Sequence, residues 1–259
     1  MKSNFIILHY TLFGYANKNH EMKNQLKIQI WSDVMCPFCY IGKRKIEEAI
    51  TKFENKDSIE IEWKSFELDP RYVATSGETI ADHLAEKYGR DIDWAQSMLE
   101  NTTQTAKSNG LDFHFEKAIL ANSLNAHRLL HLAKKHNRSN ELKELLFKAY
   151  FTEGKNVNDW NTLEEIGQKA GLHIDEIKQL IDTDTYTKEV RQDEQEAQSI
   201  GVTGVPFFVF DNKYAVSGAQ PTEVFLKTLE KAWEEGSFET KLKLQNTSDE
   251  NSCDINGCE

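Results

Sequence analysis

The sequence predicts an α/β fold in which a small sheet-and-helix unit is interrupted by a large all-helical insertion. Three observations carry this reading. A strand, helix, strand pattern closes by about Leu68, helical signals run from about Glu78 to Ile200, and strand chemistry returns at Pro206-Phe207-Phe208-Val209-Phe210.

Taken in order, Leu26-Lys27-Ile28-Gln29-Ile30 alternates apolar and polar residues, and a helix opens at Cys36-Pro37 with Ile46, Ala49, Ile50 and Phe53 at helical spacing. Ile59, Ile61 and Trp63 then alternate with Glu60, Glu62 and Lys64, the pattern of a strand with one buried face. Parallel strands joined through a helix cross over right-handed, which places Cys36 at the carboxyl end of the first strand and on the first turn of the helix. The helical block begins with TIADHLAEKYG and ends with TKEVRQDEQEAQSIG, several of its segments stopping at glycine. PFFVF and KYAV flank an Asp211-Asn212 turn and predict a hairpin. A last helix, with Pro221 at its start, runs through Phe225, Leu229 and Trp233.

The resulting division is 26–77 with 201–235 as the α/β unit of four strands and two helices, and 78–200 as the insertion. Residues 1–25 form an N-terminal extension, either an overextended start ahead of Met22 or a weak signal segment. Residues 236–259 read as a polar, flexible tail.

The composition narrows the function classes. With 28% charged and 39% hydrophobic residues, the 259-residue chain builds a substantial core, and its net charge of −11 leaves no clustered cation for a polyanion. Nucleic acid is disfavoured, and the longest early apolar run, Phe5 to Ala16, is too short to span a bilayer. Residence in the cytoplasm is the expectation, with export the alternative if residues 1–21 are a signal peptide. Four cysteines, Cys36, Cys39, Cys253 and Cys258, are too few for a disulfide-stapled scaffold and are spaced as two pairs.

The first pair stands in SDVMCPFCY. Cysteines at i and i+3 approach closely at a helix start, and the N-terminal one meets the unpaired backbone N–H groups and the positive end of the helix dipole. In such motifs a thiol titrating near ~8.5 falls to roughly 3.5–7.5, which makes Cys36 the candidate nucleophile. Cys39, one turn further in, is the candidate resolving thiol, and Pro37 is tolerated where its missing N–H has no partner to lose. Two other readings are open at this point: a chance core pair, or half of a zinc site completed by Cys253 and Cys258.

WSDVMCPFCYIGKRKIE, SLNAHRLLHLA, LFKAYFTEGKNV and GVTGVPFFVFDNKYAVSGAQP together resemble the FrnE-like branch of the DsbA family of thioredoxin-fold oxidoreductases. The resemblance implies a thioredoxin-like domain interrupted by a helical domain, and a thiol–disulfide oxidoreductase with Cys36 and Cys39 as its redox pair. It also implies that Val205-Pro206 is a cis-proline loop facing that pair and docking an extended substrate strand. Some members of the branch carry a similar C-terminal pair, so Cys253 and Cys258 are candidates for a second redox pair.

Phe38 flanks the motif, and the family block around AHRL makes His127 a possible pocket residue. His127 and His131 share a helix face at a metal-pair spacing, but no further ligand is suitably placed in the sequence and a partly exposed helix face is the expectation. Asp33 is placed either to influence the thiol or to sit as a solvated turn residue. No cofactor and no metal are expected; the partners are protein thiols and disulfides, or small thiols of the glutathione type, with no nucleic acid and no membrane. Two rival functions remain. One is a glutathione-dependent isomerase or transferase-like enzyme of the same superfamily, whose members resemble a fold with serine at the first active position. The other is a non-catalytic binding or holdase protein.

Overall fold

The computed structural model describes residues 25–75 and 77–235, with the strand residues 243–244, 253–254 and 257–258. The extension up to residue 24 lies outside them. β1 (Leu26–Ser32) leads into α1 (Pro37–Lys52), and β2 (Ile59–Ser65) returns parallel to β1, Leu26 facing Ile59 and Ser32 facing Ser65. There follow α2 (Ile80–Tyr88), α3 (Ile92–Ser108), α4 (Leu124–Lys135), α5 (Ser139–Phe151), α6 (Trp160–Lys169), α7 (Ile174–Ile181) and α8 (Thr187–Ser199). The chain rejoins the sheet through β3 (Gly204–Val205), β4 (Phe207–Phe210) and β5 (Tyr214–Ser217), and α9 (Thr222–Glu235) packs against α1.

β4 runs antiparallel to β1 and β5 antiparallel to β4, their hairpin turning at Asp211 and Asn212, both in the left-handed region at φ 51° and 53°. The period-2 alternation of β1 divides the core between its two faces. Ile28 and Ile30 meet Phe208, Phe210 and the apolar stripes of α1 and α9, including Ile46, Phe53, Phe225 and Leu229. Trp31 on the opposite face joins the cluster built by the insertion, with Leu129, Leu146 and Phe147. This is the α/β fold with a helical insertion that the resemblance implies.

The insertion is not helical throughout: between α3 and α4 the Phe113 ring stacks on Phe151 at 4.5 Å, and the His114 N–H donates to the Phe151 carbonyl at 2.7 Å. Beyond α9 the described residues form two-residue strands. β6 (Lys243–Leu244) adds to β5, so the sheet has five strands in the order β2-β1-β4-β5-β6 rather than four. β7 (Cys253–Asp254) pairs antiparallel with β3 and with β8 (Gly257–Cys258), and β8 lies against α2. Two-residue strands in a polar context carry no hydrophobic periodicity, so pattern reading passes over them.

Polar contacts dock the insertion onto the sheet. The Tyr40 hydroxyl donates to Glu144 at 2.6 Å, and Lys43, itself buried, donates to the same carboxylate at 2.8 Å beside Arg44. The Trp31 indole N–H donates to the Asp193 carbonyl at 2.9 Å, and the Ser65 N–H donates to the Asp193 carboxylate at 2.9 Å.

Candidate active site

β1 ends at Ser32, and the turn that follows is built around Asp33. Its carboxylate accepts the N–H of Met35 at 3.2 Å and of Leu68 at 2.7 Å, and its carbonyl accepts the Cys36 N–H at 3.4 Å. Cys36 is then the N-cap of α1 with Pro37 at the first helical position, and the Cys39 N–H donates to the Cys36 carbonyl at 3.1 Å. Both cysteines are free thiols and both are buried, Cys36 at 0% exposure.

The Cys36 thiol donates to the Val205 carbonyl at 3.5 Å, so the peptide before the cis Val205–Pro206 bond meets the Cys36–Cys39 turn directly. Gly42 permits this approach: a Cβ there would stand 3.1 Å from both Pro206 Cγ and Phe208 Cζ, closer than packed atoms comfortably sit. The structure therefore brings Cys36, Cys39, Val205 and Pro206 together. β7 pairs antiparallel with Gly204–Val205, with Cys253 opposite Val205 and Cys258 opposite Cys253.

Burial, together with the adjacent Cys39 thiol, pushes the Cys36 thiol well above its usual range, the reverse of what the helix start alone predicts. The helix dipole acts on a thiolate, but in this closed dithiol state no water reaches Cys36 to help carry the charge, and desolvation wins. Asp33 is fully buried rather than a solvated turn residue. Burial pushes its carboxyl up, but His127 and the N–H groups of Leu68 and Met35 outweigh that and hold it below the ordinary carboxylate range.

Phe38 lines a cavity of about 110 Å³ beside the Cys36–Cys39 turn, with Met35, Pro37, Leu68, Tyr72 and Tyr150. His127 is not part of that lining. It is fully buried, with Nε2 3.5 Å from the Asp33 carboxylate and neither ring nitrogen in a hydrogen bond. The His127/His131 face is likewise covered rather than exposed, His131 reaching the Asp193 carboxylate and the Ser65 hydroxyl, each at 3.2 Å. Both histidines thus face carboxylates, but ones brought from far along the chain. Among the described residues no three His, Cys, Asp or Glu side chains gather as a metal set.

One residue close to the pair escaped the sequence reading. Lys143 on α5 is fully buried, and its Nζ donates to the Ser32 carbonyl at 3.2 Å, at the foot of the turn that carries Cys36. The signal was present: Lys143 shares its helix stripe with Leu146, Phe147 and Tyr150, so its position falls on the apolar face.

Residues 27–230 match the DSBA-like thioredoxin domain family. The chain is 29% identical over 217 residues to the uncharacterised protein YwbO of Bacillus subtilis, covering 78% of this chain and 94% of that protein. A crystal structure of a probable DsbA oxidoreductase from Streptomyces coelicolor superposes with TM-score 0.77 and 37% identity, over 88% of this chain and 99% of that one. The cytosolic disulfide reductase DsbM of Pseudomonas aeruginosa shares the fold at TM-score 0.56 and 11% identity, over 81% of this chain and 100% of its own.

Proposed function

Since the chain belongs to the DSBA-like thioredoxin domain family, we propose that it is a thiol–disulfide oxidoreductase whose catalytic residues are Cys36 and Cys39. The observation that carries the reading is the meeting of two free thiols at the start of α1 with the Val205 carbonyl 3.5 Å from Cys36. In the reductive direction Cys36 sulfur attacks a substrate disulfide, forming a mixed disulfide and releasing one substrate thiolate. Cys39 sulfur then attacks Cys36 sulfur, the mixed bond breaks, and the second substrate thiolate leaves. Two electrons have passed from the pair to the substrate, and oxidation of a dithiol is the same path reversed.

Val205-Pro206 is the docking strip in this reading, and the pairing of β7 with Gly204–Val205 supports it, since an extended strand already adds there. The same pairing supports Cys253 and Cys258 as a second pair exchanging with the first, and that tail together with the four sequence blocks supports the FrnE-like branch. Phe38 would present the cavity to a side chain or small thiol next to the reacting sulfur. Substrates are protein disulfides or thiols, or glutathione-type small thiols, and the setting is the cytoplasm. Among the described residues no helix is long and apolar enough to cross a membrane.

Insulin reduction by wild type and by Cys36→Ser tests the reading: the variant is expected to lose turnover, and equal rates would overturn it in favour of a binding protein. In the same assay, unchanged turnover after replacing Cys253 and Cys258 with serine would remove the second pair from the cycle.

A further inference from the structure

We propose that Lys143 is the buried cation that balances the thiolate charge created at Cys36 and Cys39 during exchange, a positioning residue supplied to the redox turn by the helical insertion. The inference rests on the reading of Cys36 and Cys39 as the redox pair.

Lysine is almost never fully buried without a carboxylate partner, because its ammonium loses its hydration. Lys143 is at 0% exposure, and among the described residues it forms no ion pair. Its polar partner is the single Ser32 carbonyl at 3.2 Å, and its other neighbours are the faces of Phe147 at 5.0 Å and Trp63 at 5.5 Å. The charges that reach it are those of Cys39, Asp33 and Cys36, in that order of strength. Two of these three are absent in the dithiol and appear only when a thiol ionises. The fold thus holds a cation whose main counter-charges are made by the reaction.

The other titratable groups around the turn are accounted for. Asp33, from the turn itself, is anionic and opposes ionisation of Cys36. His127 on α4 lies against Asp33, and Glu67, beyond β2, is held by Arg191 of α8. Tyr150, on α5, is buried and neutral, its hydroxyl pushed well up by burial and by Asp33. Lys143 is therefore the buried cation left without a carboxylate, and its hydrogen bond to the Ser32 carbonyl sets it at the foot of the turn that carries the two thiols.

In the resolving step, Cys39 releases its proton, Cys39 sulfur bonds to Cys36 sulfur, and the bond from Cys36 to the substrate sulfur breaks. The electron pair departs on the substrate sulfur, which takes up a proton. Below about 8, where its ammonium titrates, Lys143 keeps its three protons throughout and changes only the cost of the anionic stage.

The test is the rate of Cys36 alkylation by iodoacetamide in the full chain at about pH 7, where the Lys143 ammonium still carries its proton. Lys143→Met is expected to react about tenfold slower there, while Lys143→Arg restores the wild-type rate. An unchanged rate in folded Lys143→Met overturns the proposal, since a merely structural lysine would change thermal stability alone. A second measurement needs no variant. The wild-type rate should climb with pH only to about 8 and then flatten as the ammonium loses its proton. A profile that climbs straight through that value overturns the proposal even if the variant does not fold. Failure here with Cys36→Ser still inactive in insulin reduction refutes the role of Lys143 alone, whereas an active Cys36→Ser refutes the redox reading beneath it.

Discussion

Replacing Lys143 with methionine should make the protein more stable at neutral pH. Burial drives the Lys143 ammonium down from its ordinary 10.5 to about 8, and the negative groups around it recover only part of that. At ~1.4 kcal/mol per pH unit, keeping this lysine protonated costs the folded state about 3 kcal/mol. Methionine has a similar length and no charge, so it removes that cost. It also strands the Ser32 carbonyl, which takes back about 1 kcal/mol. The net gain is about 2 kcal/mol, or roughly 4–8 °C in Tm for a chain of this size. The sign with pH follows from the depressed value. The wild-type penalty is complete below about 8 and fades as pH rises toward the unfolded lysine's ~10.4, so wild type should close the gap over that window. Thermal unfolding followed by circular dichroism at about pH 6.5 and about pH 9.5 measures both ends. A variant no more stable than wild type, with a difference that ignores pH, would show that the ammonium is already compensated in the resting fold.

Glu144 binds α5 to α1, and its carboxyl, raised by burial but pulled down further by Arg44, Lys43 and Tyr40, titrates at about 2. Its depressed value means that the stability it contributes is present above the ordinary carboxylate range and is lost as pH falls toward about 2. Glu144→Gln should therefore destabilise the protein by about 1–2 kcal/mol at neutral pH, discounted for partial exposure, with a difference that shrinks on acidification in denaturant titrations. Asp33→Asn should cost roughly 1.5–3 kcal/mol in the same titrations, because a charged acceptor of the Met35 and Leu68 N–H groups is lost. It should also speed Cys36 alkylation at about pH 7, the direction opposite to Lys143→Met, since Asp33 opposes thiolate formation; a rate that falls would contradict the placement of that charge.

Much of this arrangement was legible in the sequence because it is written in periodicity. Helix-period stripes mark the segments that become α2 to α8, and the alternation in Leu26–Ile30 and Ile59–Trp63 marks the paired strands, with Cys36 at the end of β1 as the crossover rule requires. What pattern cannot carry is the environment that distant segments impose. The helix start at Pro37 argues for an ionised Cys36, yet the Val205 loop and the insertion bury the sulfur and hold it as a thiol. His127 and His131 show no acidic partner within their own helix, because Asp33 and Asp193 reach them from elsewhere in the chain. Lys143 reads as an ordinary lysine unless its place in the apolar stripe of α5 is taken at face value.

That last point bears on what the insertion is for. The redox turn lies in the α/β unit, but the groups that set its charge come from three places: Asp33 from the turn, His127 from α4 and Lys143 from α5. The contacts that dock the insertion, Tyr40 and Lys43 on Glu144 and Trp31 on Asp193, fall within a few residues of the same turn. Docking and electrostatics are thus one event: seating α5 against α1 through Glu144 also brings the Lys143 ammonium to the Ser32 carbonyl. An α/β unit alone would keep both thiols and the Val205 carbonyl and lose the buried cation and imidazole. A substitution that loosens the Glu144 contacts therefore acts on thiol reactivity as well as on stability, even though Glu144 itself touches neither sulfur.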